Sequence, residues 1–289
     1  MAVKNSLQKS QKMSMTAFLT NDAAKQRINE VIGGKDGQRF ISAIISAVNT
    51  NPALQECANQ SILNAALLGE SLKLSPSPQL GQYYMVPFND KEKGKVAQFQ
   101  LGYKGMIQLA IRSGQYKRLN VLAIKEGELV KYDPLNEEIE VNLIQDEAIR
   151  EKTPTAGYYA FFEYTNGFKK CLYWSKEKME NHAKKYSQGY AKDLKNGTSW
   201  TFWSKDFDGM AYKTMLRQLI SKWGIMSIEM QTAIDSDMAI INEDGTKDYV
   251  EIEEPEIVES VSHETEEPKE EPKAEQPENT DEISAALFS

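Results

Sequence analysis

Thiols and imidazoles are scarce in this chain. Two cysteines, Cys57 and Cys171, among 289 residues allow no disulfide framework and suit a reducing compartment. With only His182 and His263 beside them, they fit no usual zinc-ligand spacing. Apolar runs reach a few residues at most, too few to cross a bilayer, and the mean hydropathy is −0.54. The basic start Met1-Ala-Val-Lys4 leads into no apolar core, which argues against a secretory leader. The motifs G-x-x-x-x-G-K-[ST], G-x-S-x-G and H-E-x-x-H are all missing, so P-loop nucleotide hydrolysis, serine-hydrolase and zinc-protease chemistry are not expected. The expectation is a cytoplasmic protein without metal, cofactor, membrane contact or catalytic centre. One local pattern points the other way: Asp193-Leu-Lys195 has the spacing of a metal-dependent nuclease, though in so charged a chain it more readily marks a solvated loop.

The net charge of −8 conceals an asymmetry. Residues 243–289 carry 17 acids against 3 bases, which leaves residues 1–242 with a net charge of +6. A basic body with an acidic tail suits a nucleic-acid binder. The tail also holds four of the ten prolines and only Tyr249 and Phe288 as aromatics. Such a composition does not offset its ordering entropy and predicts disorder over 243–289. Residues 1–13 read as flexible for the same reason, leaving one domain over 14–242. The apolar tip Ile283, Leu287 and Phe288 suits docking of a partner. The tail's charge suits competition with DNA for the basic body, or simple solubilisation.

The N-terminal part reads as helical: one helix capped by Asp22 and ended at Gly33-Gly34, a second with Phe40, Ile41, Ile44, Ile45 and Val48 on one face, a restart at Asn51-Pro52, and a third through Ile62–Leu67. The period then changes. Gln82–Phe88 and Val96–Leu101 read as a hairpin, Tyr103–Ser113 as a helix ended by Gly114, and 119–124, 128–132, 138–143, 156–164 and 169–174 as strands. A helix opens at Ser175, and a long one is predicted from about Ser204 to Ser221.

Two constellations carry chemistry. In the helix from Tyr103, the residues Tyr103, Ile107, Ala110 and Ile111 share the face expected to be buried, beside a stripe of Lys104, Gln108 and Arg112. Lys117 and Arg118 extend the positive charge. The segment Ser199–Trp223 interleaves Trp200, Trp203 and Phe207 with Lys205, Lys213 and Arg217. Cations that track phosphates and flat rings that stack on bases are what single-stranded nucleic acid requires, although tryptophans on a helix are more often core. Between these lie eight lysines in 168–195, including Lys169 and Lys170, read as a flexible basic clamp.

The segments Leu63-Asn-Ala-Ala-Leu-Leu-Gly-Glu-Ser-Leu-Lys-Leu74, Tyr84-Met-Val-Pro-Phe88, Gln98-Phe-Gln-Leu-Gly-Tyr-Lys-Gly-Met-Ile-Gln-Leu-Ala110, Arg112-Ser-Gly114 and Trp203…Met210…Lys213-Thr214…Arg217 resemble, in order, the RecT family of phage and prophage single-strand annealing recombinases. The resemblance covers about residues 38–225. It implies ATP-independent annealing in a bacterial host cell, binding of single-stranded DNA and the annealed duplex intermediate, and homo-oligomeric rings or filaments. A 5′–3′ exonuclease and a host single-stranded DNA-binding protein are the implied partners. The implied fold is α+β: a helical N-terminal part and a twisted antiparallel sheet with packed helices, distantly like the core of eukaryotic strand-annealing proteins. The resemblance assigns segments rather than single contacts; the basic and aromatic constellations predict as DNA contacts Tyr103, Lys104, Arg112, Lys117, Arg118, Lys169, Lys170, Trp200, Trp203, Lys205, Lys213 and Arg217, with Lys213 and Arg217 setting the salt dependence. A non-catalytic coating protein and a metal-dependent nuclease are the alternatives.

Overall fold

Helices occupy residues 15–71 in the computed structural model, which describes residues 13–249. They are α1 (Met15–Leu19), α2 (Asp22–Ile32), α3 (Gly34–Thr50), α4 (Pro52–Gln55) and α5 (Asn59–Ser71). Asn21 rather than Asp22 caps α2, its side chain accepting from the Ala24 N–H at 2.8 Å. Asp22 sits in the first turn, where its charge suits the helix dipole. Asn51 and Pro52 open α4 as cap and first residue, as the sequence predicts.

The hairpin follows as β1 (Tyr83–Asp90) and β2 (Gly94–Leu101), in register from Tyr83↔Leu101 to Asp90↔Gly94. Helix α5 lies buried against it. Its polar residues fix the sheet rather than face water: the Ser61 hydroxyl accepts from the Ala97 N–H at 2.8 Å, and the Asn64 amide donates to the Ile241 carbonyl at 2.8 Å. Gly69 is required here, because the Tyr83 ring stands where a Cβ would be. That ring stacks on Phe99 with centroids 5.2 Å apart.

Next come α6 (Tyr103–Arg112), β3 (Tyr116–Lys125), β4 (Leu129–Asp133), β5 (Glu138–Val141), α7 (Glu147–Lys152), β6 (Thr155–Tyr164) and β7 (Lys169–Ser175). Strands β3, β6 and β7 form an antiparallel sheet with β6 central, and β4 and β5 pair apart from it as a hairpin. The lysine-rich segment is folded, not a flexible clamp: β7 runs into α8 (Lys176–Tyr186) and α9 (Gln188–Asn196), capped by the Ser175 and Ser187 hydroxyls.

Asp206 breaks the predicted long helix. The one-turn α10 (Phe202–Lys205) ends there, and α11 (Phe207–Trp223) restarts with the Asp206 side chain accepting from the Gly209 N–H at 2.9 Å. Finally α12 (Ile228–Asp235), β8 (Ala239–Ile241) and β9 (Lys247–Tyr249) complete a four-stranded sheet of order β1-β2-β8-β9. Neither three-residue strand is long enough to show a period, and β9 lies inside the segment predicted to be disordered. The remaining expectations for the termini, over residues 1–12 and 250–289, lie outside the described residues. Among the described residues the fold is α+β with antiparallel sheets, as expected.

Two hydrophobic clusters hold it together. One joins α1–α6 to the first sheet, and the other lies between the inner face of β3-β6-β7 and α8, α9 and α11. Helix α11 serves both, with Leu216 and Ile220 in the first and Ala211, Met215 and Leu219 in the second. Tyr116, Leu119 and Val121 of β3 pack against both.

Candidate nucleic-acid interface

The start of α6 is brought close to the start of the hairpin by glycines. A Cβ on Gly105 would collide with the Gln82 carbonyl, and one on Gly102 with the Gly81 carbonyl. This close approach sets Lys104 beside Tyr84, since the Lys104 side chain and the Tyr84 hydroxyl both lie against Gly81. Tyr84 in turn meets Phe202 of α10, with centroids 5.6 Å apart. Trp200, 79% exposed, lies two residues before Phe202, and Lys205 is exposed at the end of the same turn. Tyr103 packs edge-on against Tyr212 at 5.7 Å. Burial, then the Asp206 charge, raises the Tyr84 and Tyr103 phenols, so both stay neutral. A groove of about 640 Å³ adjoins these rings, between the end of α3, residues 75–79 and β1, with Phe202 on its rim.

Tyr84 and Phe202 were missed as site residues. Tyr84 reads as an ordinary strand residue, and Phe202 lies just before the helix predicted from about Ser204. The -Trp-Thr-Phe-Trp- run is the one sequence signal for Phe202.

The sheet collects a second set of predicted cations. Glu163 on β6 faces Arg118 on β3 and Lys169 on β7 in register. The Lys117 ammonium donates to Glu163 at 2.7 Å, and Arg118 Nε lies 3.5 Å from it. This Lys117 bond, against a smaller opposing effect of burial, holds the Glu163 carboxyl below the usual range. Three cations thus surround one carboxylate. Lys170 points to the opposite face, pairs with Glu137 and lies 3.6 Å from the centre of the Trp223 ring.

Other predicted contacts have partners within the fold. Lys213 is buried, with its ammonium 2.8 Å from Asp237. Arg217 Nη1 lies 2.6 Å from the same carboxylate but keeps 41% of its side chain exposed. Asp237 also accepts from the Leu101 N–H at 2.9 Å, so it ties α11 to the end of β2. The signal that separates Lys213 from a surface cation is Asp237, twenty-four residues downstream, which helical periodicity does not reveal.

Trp203 is likewise core, 7% exposed and 5.1 Å from Phe207. Arg112 is exposed and donates to the Leu72 carbonyl at 2.8 Å. The buried face of α6 is turned from the one predicted: Gly105, Met106, Leu109 and Ala110 are buried while Ile111 is 59% exposed. Apolar residues surround much of this helix, so the pattern alone does not fix its rotation. The Lys104, Gln108 and Arg112 stripe is exposed, as expected.

Asp193 is neither a metal ligand nor part of a solvated loop. It is 4% exposed, and its oxygens accept from the Thr198, Thr201 and Ser204 hydroxyls and from the Trp200 and Thr201 N–H groups at 2.6–3.0 Å. The Thr198 hydroxyl leads in holding its carboxyl well below the ordinary range, against burial. All these bonds shape the loop that presents Trp200. Among the described residues no group of three His, Cys, Asp or Glu side chains is arranged to hold a metal, and no helix is long and apolar enough to cross a membrane.

A profile of the RecT family matches residues 38–251. The chain is 39% identical over 259 residues to an uncharacterized protein of Bacillus subtilis strain 168, YqaK, across 87% of this chain and 82% of that one. It is 29% identical over 241 residues to Protein RecT of Escherichia coli K12, across 82% of each.

Proposed function

The chain belongs to the RecT family, and from that premise we propose that it anneals complementary DNA single strands without hydrolysing nucleotide. Membership supports a recombination protein of the strand-annealing kind. The observation that carries the finer reading is the exposed surface on which Lys104 and Lys205 accompany Tyr84, Trp200 and Phe202. Annealing asks a protein to screen two repelling backbones while leaving base edges free. Cations on phosphates do the first, and ring stacking permits the second, because every base has a π-face. Sequence discrimination then rests on Watson–Crick pairing alone. On this reading copies of the chain assemble along the strand, a 5′–3′ exonuclease supplies the single strand, and a host single-stranded DNA-binding protein is displaced from it.

The test is the annealing rate of complementary oligonucleotides, one carrying a fluorophore and the other a quencher, without nucleotide and across a salt series. Acceleration that fades as salt rises is expected. Binding with retarded annealing would instead mark a coating protein, and shortening of the DNA in magnesium a nuclease.

A further inference from the structure

Side chains alternate across a strand, so the two faces of β3-β6-β7 have different compositions. Tyr158, Ala160, Phe162 and Tyr164 of β6 turn inward to the second cluster. Tyr159, Phe161 and Glu163 therefore turn outward. Register places Leu122 and Tyr173 beside Tyr159, Asn120 and Cys171 beside Phe161, and Arg118 and Lys169 beside Glu163. The Tyr159 and Phe161 rings lie only 10° from parallel, with centroids 6.4 Å apart, and both are partly exposed. This pair takes no part in the cores described above; on its β7 side the β4–β5 hairpin meets the same face, where Tyr132 packs against Tyr173 and Cys171 donates to the Glu137 carbonyl.

We propose that this outer face is a stacking platform for two consecutive nucleotides of an extended DNA single strand, with one base on Tyr159 and the next on Phe161, and with Lys117, Arg118 and Lys169 on the adjoining phosphates. The inference rests on the annealing reading and adds to it a specific site and a preferred form of DNA. The ring spacing of 6.4 Å is nearly twice the rise of roughly 3.4 Å per nucleotide within a B-form strand. A stretched single strand can seat a base on each ring, and a stacked duplex cannot. Charge agrees with the geometry: three cations around Glu163 leave the row net positive at the end of the aromatic pair. Burial pushes the Tyr159 phenol up to about 12, so the platform itself brings no negative charge towards phosphate.

The experiment uses the full chain and a 5-iodouracil oligonucleotide, photocrosslinked and mapped by peptide mass spectrometry. Crosslinks to Tyr159 or Phe161 are expected. In parallel, the Tyr159→Leu/Phe161→Leu variant should bind the oligonucleotide about tenfold more weakly or worse with an unchanged salt slope, because stacking but no ion contact is lost. Tyr159→Phe should bind like wild type. Arg118→Gln/Lys169→Gln should lower the slope by about 1.4, near 0.7 for each phosphate contact on a single strand. Crosslinks confined to other segments would overturn the proposal even if the leucine variant failed to fold. So would a leucine variant that binds normally, or one that alters only the oligomeric state in sedimentation, since the face would then join copies of the chain. Wild-type protein that binds no single strand would overturn the annealing reading as well, whereas binding and annealing with a silent platform would overturn the platform alone.

Discussion

Replacing Asp237 with Asn should unfold this protein far more readily than it alters DNA binding. The carboxylate is 2% exposed and holds Lys213 at 2.8 Å, Arg217 at 2.6 Å and the Leu101 N–H at 2.9 Å. An amide cannot neutralise the Lys213 ammonium, which is itself only 9% exposed. Removing one partner of a buried pair costs about 3–5 kcal/mol, because the other charge is left without compensation. For a body of this size that corresponds to a fall in melting temperature on the order of 10 °C. Arg217, 41% exposed, can turn to water and adds little. Lys213→Met should cost less than Asp237→Asn, since Asp237 keeps Arg217 and the backbone donor. The double variant Lys213→Met/Asp237→Asn should be more stable than Asp237→Asn alone, a coupling that a double-mutant cycle reads directly. The assay is urea and thermal denaturation by circular dichroism, with oligonucleotide binding across a salt series for each folded variant. The reasoning fails if Asp237→Asn melts with wild type, or if Lys213→Met keeps full stability and flattens the salt slope, which would make Lys213 a phosphate contact.

The two tryptophans around α10 should part company: Trp200→Ala should leave the melting curve unchanged and weaken single-strand binding by about fivefold or more. Trp203→Ala should cost about 3–5 kcal/mol of stability; equal melting curves would refute the division. Acid should weaken the fold through Glu128 and Asp193. Burial opposes ionisation of Glu128, but Arg150 at 2.6 Å and the Lys125 and Ile144 N–H groups outweigh it and lower its pKa. Carboxyls lowered on folding stabilise fully above their unfolded values of about 4, and that contribution is lost as pH falls through the folded values. The urea midpoint should therefore hold between about pH 7 and about pH 5 and fall as the pH drops below about 4, and less so in Glu128→Gln/Asp193→Asn. Removing the chain after Glu253 should tighten non-specific DNA binding at low salt, because the acidic segment then no longer competes for the basic surface; unchanged filter binding would leave the tail without that role.

Most elements were legible in the sequence, because their apolar periods are long and their punctuation is strong. Asn51-Pro52, Gly114 and Ser175 each stand where a helix begins or ends. What could not be read was pairing across distance. Nothing local tells that Asp237 claims Lys213, that Asp193 gathers a loop eleven residues long, or that Ile111 rather than Met106 faces water. The cations showed the same division. Their identity was visible, but whether each met solvent, a carboxylate or a ring depended on partners that only the fold supplies. Outward aromatics on β6 were hidden differently: a strand reading Tyr-Tyr-Ala-Phe-Phe is apolar on both faces, so alternation does not say which face meets the core.

Strand β3 leaves residues 13–249 without a seam. Tyr116, Leu119 and Val121 lean on both hydrophobic clusters, while α11 crosses from one to the other. A cut in the turn at Gly114-Gln115 would therefore lay open apolar surface on both fragments, and neither half would be a free-standing module. The two regions are bound to melt together as a single calorimetric event, and shorter versions of this protein would have to be trimmed from its ends.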